Sequence, residues 1–196
     1  FFKIVGESSV AAGVRRIEAM TGETCENAIY ALEDTLRDLK AMFNNAKDLK
    51  AVLTKFIEEN DAMKKEVESF RAQAVDRAAK SLVDRAETVN GVHVVKAVLP
   101  VDPASAKDIV FKVREALPEN LACVLGSVYE SRPLLSIMLS DDMVKDYDLN
   151  AGKIIREAAK LIQGGGGGQP HYAQAGGKNA DGIRSAVDKV IELISL

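Results

Sequence analysis

Residues 161–179 read LIQGGGGGQPHYAQAGGKN and carry seven of the chain's fourteen glycines. Glycine loses more backbone freedom on folding than any other residue, so a run of five needs a physical reason. The run follows NAGKIIREAAKLIQ, whose apolar spacing predicts a helix capped by Asn150, and precedes NADGIRSAVDKVIELI, a closing helix with Asn179 in the cap position. The glycine stretch is therefore expected as a loop between two helices. Two explanations stand side by side. Unshielded backbone N–H groups ahead of a helix N-terminus suit an anion such as phosphate. Alternatively, glycine lets the loop pass tightly over the core. A nucleotide-binding P-loop is excluded, because G-x-x-x-x-G-K-[ST] needs glycine at position 172 and Ser or Thr at position 179, where Tyr172 and Asn179 stand.

Local charge favours an anionic partner although the formal net charge is −3. Between positions 149 and 189, Lys153, Arg156, Lys160, Lys178, Arg184 and Lys189 outnumber Glu157, Asp181 and Asp188 by three. A modest basic patch beside a glycine loop suits a phosphodiester backbone. His171 and Tyr172 add ring surface and hydrogen-bonding groups of the kind RNA-binding surfaces use.

Upstream, VHVVKAVLP (92–100) reads as a strand and PASAKDIVFKVREALP as a helix with Ser105 as its cap. NLACVLGSVYE and RPLLSIMLS read as strands joined at Ser131-Arg132. Positions 89–196 thus predict a β-α-β-β-α-α sandwich, large enough for its own core.

Further upstream, positions 23–87 contain no Pro and no Gly. Ile29, Leu32, Leu36, Leu39, Phe43 and Ala46 alternate by three and four, the spacing of a coiled-coil seam. A second series, Leu49, Leu53, Phe56, Asn60, Met63, Val67, Phe70 and Ala74, is out of phase with it, and Asn44-Asn45 marks the break. The expectation is a helical hairpin over 23–88, with one bent helix as the alternative. Ile29, Leu32, Leu36, Leu39, Phe43, Leu53, Phe56 and Met63 are the candidate dimer contacts. Residues 1–22 predict two short strands, too little to bury a core alone. The chain starts Phe1-Phe2 without an initiator Met and reads as a piece of something longer. The overall expectation is α+β: a long helical hairpin or coiled coil, then a small sandwich.

Composition narrows the classes further. Two separated cysteines, Cys25 and Cys123, fit a reduced cytoplasmic protein, and isolated His93 and His171 make a metal site within this chain unexpected. No apolar run approaches the roughly 20 residues of a membrane span.

Two stretches then carry a resemblance. FKIVGESSVAAGVRRIEAMTG (2–22) resembles the final strands of the editing domain of bacterial alanyl-tRNA synthetases, with Arg15, Arg16 and Glu18 in the matching motif. GGGGGQPHYAQAGGK (164–178) is similar to the glycine motif of that family's C-terminal domain, shared with DHH-type phosphoesterases. Many relatives carry Asp-Met in place of His171-Tyr172. The resemblance implies a parent enzyme that joins alanine to tRNA using ATP and Mg, with zinc-dependent editing, both upstream of this chain. It implies no cofactor and no catalysis here. The implied partners are alanine tRNA, gripped at its elbow, a second copy of the chain, and the upstream domains, with no membrane. The expected tRNA contacts are Gly164, Gly165, Gly166, Gly167 and Gly168, followed by Gln169, His171 and Tyr172. Gly176, Gly177 and Lys178 complete the loop, and Lys160, Arg156 and Arg184 supply charge. A helical dimerisation module without tRNA binding is the competing reading. A DHH phosphoesterase is disfavoured by the missing Asp-His-His motif.

Overall fold

A computed structural model describes residues 1–194. The chain forms two compact units, 1–65 and 66–196, so the boundary falls inside its longest helix.

The first unit opens with an antiparallel hairpin, β1 (Phe2–Ala11) and β2 (Val14–Thr21). Its turn needs left-handed backbone at Gly13, which glycine adopts without a Cβ penalty. Helix α1 (Gly22–Met42) follows, and then α2 (Leu49–Asp84). The break between them has two local causes. Asn44 and Asn45 both adopt positive φ, and the Asn45 N–H bonds back to the Lys40 carbonyl, closing α1. Asp48 then starts α2 by accepting from the Ala51 N–H at 2.9 Å.

The expected hairpin is corrected in one respect. The two helices exist, but their apolar series do not bury one another. Leu32, Leu36 and Leu39 of α1 and Phe56 and Met63 of α2 are all exposed, Leu32 at 58%. Phe43 meets Phe56 edge-to-face at 6.1 Å beside the break. A seam that faces solvent gains nothing from its 3-4 spacing within one chain.

The second unit is built on a six-stranded sheet, ordered β3-β4-β5-β6-β8-β7. Its strands are β3 (Glu87–Val89), β4 (Val92–Leu99), β5 (Leu121–Tyr129), β6 (Arg132–Leu139), β7 (Gly165–Gly168) and β8 (Tyr172–Gly176). Only β4 and β5 pair in parallel, joined by the crossover helix α3 (Pro103–Ala116). Asn90-Gly91 and Glu130-Ser131 make two-residue hairpin turns with positive φ at both central positions. On one sheet face lie α3 and the end of α2, burying Val75, Ala79, Ile109, Val110 and Val113 against Cys123 and Leu125. On the other lie α5 (Ala151–Ala158) and α6 (Ile183–Ile194), burying Ile155, Val187 and Val190 against Val124, Leu135 and Ile137. A short helix, α4 (Asp141–Asp146), follows β6.

The expected order β-α-β-β-α-α is corrected by two strands at 165–176 where a loop was expected, and by β3 and α4. The cap of α3 is Asp102, not Ser105: its carboxylate accepts from the Ala104 and Ser105 N–H groups, with Pro103 in the first turn. Asn150 caps α5 as expected, accepting from the Lys153 N–H at 3.0 Å. Asn179 caps no helix with its side chain, which donates instead to the Leu161 carbonyl.

Candidate nucleic-acid interface

The glycine run is a hairpin. Gly165 pairs with Gly176, Gly166 with Ala175, Gly167 with Gln174 and Gly168 with Ala173, and β8 in turn pairs with β6. The Gln169–Tyr172 pair exchanges both backbone hydrogen bonds and closes the turn. Within β7 the glycines fall into two sets. A Cβ on Gly164, Gly166 or Gly168 would lie 2.0–2.2 Å from a carbonyl of the neighbouring strand, so no other residue fits. A Cβ on Gly165 or Gly176 would meet nothing within 4 Å, and neither residue needs positive φ. Packing explains the first set and leaves the second unexplained.

Helix α5 crosses this hairpin closely. Gly152 faces the Gly168 carbonyl, which a Cβ would approach to 2.8 Å, and Ala173 and Ala175 lie buried beneath. The Ala151 N–H donates to the Pro170 carbonyl, so the hairpin turn occupies part of the helix N-terminus. The amides of the second glycine pair are occupied too. Gly177 donates to Pro133, and Lys178 and Asn179 both donate to Ile162. The phosphate cradle of free amides expected at 176–178 is therefore absent, because these N–H groups hold the loop to the sheet and to the turn after α5.

Charge remains. Arg156 lies over the hairpin, its guanidinium 3.7 Å from the position of a Cβ on Gly167. Lys178 is exposed beyond β8. Lys160 is tied to Glu157 at 2.6 Å. Arg184 stands elsewhere, beside Lys96 and Asp188 against β4, about 19 Å from β7 at four strand spacings. Arg132, which no motif singled out, joins Lys178 on the wall of an open pocket of about 710 Å³. Its register opposite position 178 is visible only once the sheet is assembled.

Tyr172 is a packing residue. Its ring meets Phe111 edge-to-face at 5.1 Å on the α3 face, and its hydroxyl is buried without a hydrogen-bond partner. Burial, helped by the nearby Asp108 charge, pushes its pKa up to about 12. Stacking on a nucleotide is not available to a ring held this way. His171 and Gln169 sit in the hairpin turn. Among the described residues, no group of three or more His, Cys, Asp or Glu side chains is arranged to hold a metal ion. No helix among them is long and apolar enough to cross a membrane.

Comparison with known proteins agrees with this architecture. Residues 91–196 match the DHHA1 domain. The chain is 49% identical over 194 residues to an alanine–tRNA ligase of Bacteroides fragilis, covering 99% of this chain and 22% of the relative. It is 39% identical over 197 residues to an alanine–tRNA ligase of Cytophaga hutchinsonii, again spanning 22% of it. Among solved structures it is similar to the C-Ala domain of Aquifex aeolicus alanyl-tRNA synthetase, with 27% identity and a TM-score of 0.50, over 57% of this chain and 99% of that one. The chain thus spans about a fifth of the length of these curated relatives, and over residues 91–196 it belongs to the DHHA1 domain family.

Proposed function

We propose that this chain is the C-terminal part of an alanyl-tRNA synthetase and holds alanine tRNA near its elbow. Alanylation with ATP and Mg, and zinc-dependent editing, then belong to domains upstream in a cytoplasmic enzyme. The observation that carries this reading is the near-complete alignment of the chain with alanine–tRNA ligases, which includes the glycine hairpin and its cations. Arg156, Lys178 and Arg132 supply phosphate contacts, and the bare β7–β8 surface lets a backbone approach closely. The zinc of that reading finds no donor set among the described residues, so no step is assigned to it here.

A salt titration tests the reading. Each phosphate contact released to solvent lowers the slope of log affinity against log salt by about 0.7–0.9. Arg156→Ala and Lys178→Ala should each reduce that slope by roughly one contact. Binding that is absent, or indifferent to both changes, contradicts it. A second reading, self-association through the helices, is favoured by the exposed seam from Leu32 to Met63, and the two functions are compatible.

A further inference from the structure

Gly165 and Gly176 need explaining, since neither packing nor backbone conformation requires glycine at either place. They pair with each other across β7 and β8, and the register continues to Leu134 on β6 and Ser127 on β5. One transverse row, Gly165–Gly176–Leu134–Ser127, therefore crosses four strands and spans about 14 Å. All four line the 710 Å³ pocket. The row begins bare, continues apolar and ends in a hydroxyl. Ser127 is 1% exposed and makes no side-chain hydrogen bond among the described residues, an uncommon state for a buried hydroxyl. Arg132 and Lys178 stand in register with each other at the rim, two residues beyond Leu134 and Gly176, and neither has an ion-pair partner among the described residues. Glu130 lies on the same rim.

We infer that this pocket holds one unstacked nucleotide, its base flat on Leu134 and Gly176 and its single phosphate between Arg132 and Lys178. The inference rests on the nucleic-acid reading above and deepens it. Backbone without Cβ atoms gives a ring a planar floor, and a side chain at either glycine would fill the space the ring needs. The Ser127 hydroxyl donates to or accepts from the base edge, and so gains the partner it lacks. Glu130 accepts from a ribose hydroxyl and tells against a polyphosphate, as do the occupied amides of Gly177 and Lys178. The nucleotide comes either from an RNA loop, where bases can be splayed out, or from the free mononucleotide pool.

The test uses the full chain, with AMP and ribose 5-phosphate as probes and amide NMR as the readout. AMP at millimolar concentration should shift the Gly165 and Gly176 resonances saturably through the ring current of the base, and ribose 5-phosphate should leave them in place. Gly176→Val, which occupies open space, and Ser127→Ala, which removes only the hydroxyl, should each weaken AMP binding, the first about tenfold, as expected for one lost stacking contact. Displacement of AMP by alanine tRNA identifies the nucleotide as part of the RNA. Simultaneous binding identifies a free mononucleotide site. The inference is overturned if AMP causes no shift, if both probes shift the same resonances, or if neither variant weakens AMP binding. tRNA binding without an AMP site would leave the function proposed above intact. An AMP site without tRNA binding would sink that proposal instead.

Discussion

Gly165 and Gly166 are neighbours with opposite requirements. A methyl on Gly166 would lie 2.1 Å from the Gln174 carbonyl and 2.4 Å from the Ala175 Cα, while one on Gly165 meets open space. Gly166→Ala should therefore lower stability by about 1–3 kcal/mol, the usual cost of overpacking. Gly165→Ala should fall within about 0.5 kcal/mol of the parent. Urea denaturation of the pair decides the point, and equal effects would refute the two-set account of β7. Asp102 makes a second prediction. Burial works to raise its carboxyl pKa, but the hydrogen bonds from the Ser105 hydroxyl, the Ser105 and Ala104 amides, and the charge of Arg71 outweigh that and hold it below its ordinary 3.8. The unfolded chain thus binds the proton more tightly than the native one. The stabilisation is complete above pH 3.8 and is lost as pH falls toward the lowered native value. Asp102→Ala should cost about 1 kcal/mol at neutral pH, as for other caps, and the gap from the parent should narrow in acid. Cys123 is fully buried, and burial pushes its thiol up to about 12, so alkylation at neutral pH should track global unfolding.

At the scale of elements, the contact between α2 and α3 depends on more than apolar burial. Arg71 donates from Nε to the Ser105 hydroxyl at 3.0 Å and from Nη2 to Asp108 at 2.6 Å, and Lys112 meets Asp76 at 2.8 Å. Arg71 is only partly exposed, so removing it leaves polar groups without their partner. Arg71→Met should cost about 1–3 kcal/mol and speed amide exchange over residues 66–84. Unchanged exchange there would mean that Val75, Ala79 and Leu82 hold the helix unaided. The helices were legible in sequence because side-chain periodicity marks them, and β4, β5 and β6 because β-branched and apolar runs do. The β7 strand was not legible. Four glycines carry no alternation and a low strand propensity, and their strand exists because α5 and β8 approach too closely for side chains. Gly152 on α5 escaped notice for the same reason: its value lies in a contact with Gly168 that only the assembled sheet creates. The three residues of β3 are too few to show a pattern, although the Asn90-Gly91 turn signals their hairpin.

For the whole molecule, the exposed seam and the basic hairpin lead to separate measurements. If a second copy covers the seam, sedimentation should show a concentration-dependent dimer that Leu36→Asp with Phe56→Asp converts to monomer. A monomer in both samples would remove the dimer reading and leave tRNA binding untouched. The placement of Arg184 against β4, and of Tyr172 under Phe111, shows where residue type alone misleads: a cation or an aromatic near a motif in sequence need not face the same surface in the fold. Arg132 is the converse, distant in sequence from the glycines yet in register with Lys178 across β6 and β8. The central claim is that this chain grips the elbow of alanine tRNA. The most direct test compares its affinity for intact alanine tRNA with that for the same tRNA carrying a disrupted elbow, at low and physiological salt. Preference for the intact elbow at both concentrations, with total affinity falling as salt rises, is the predicted result. Equal affinity for the two RNAs would contradict it.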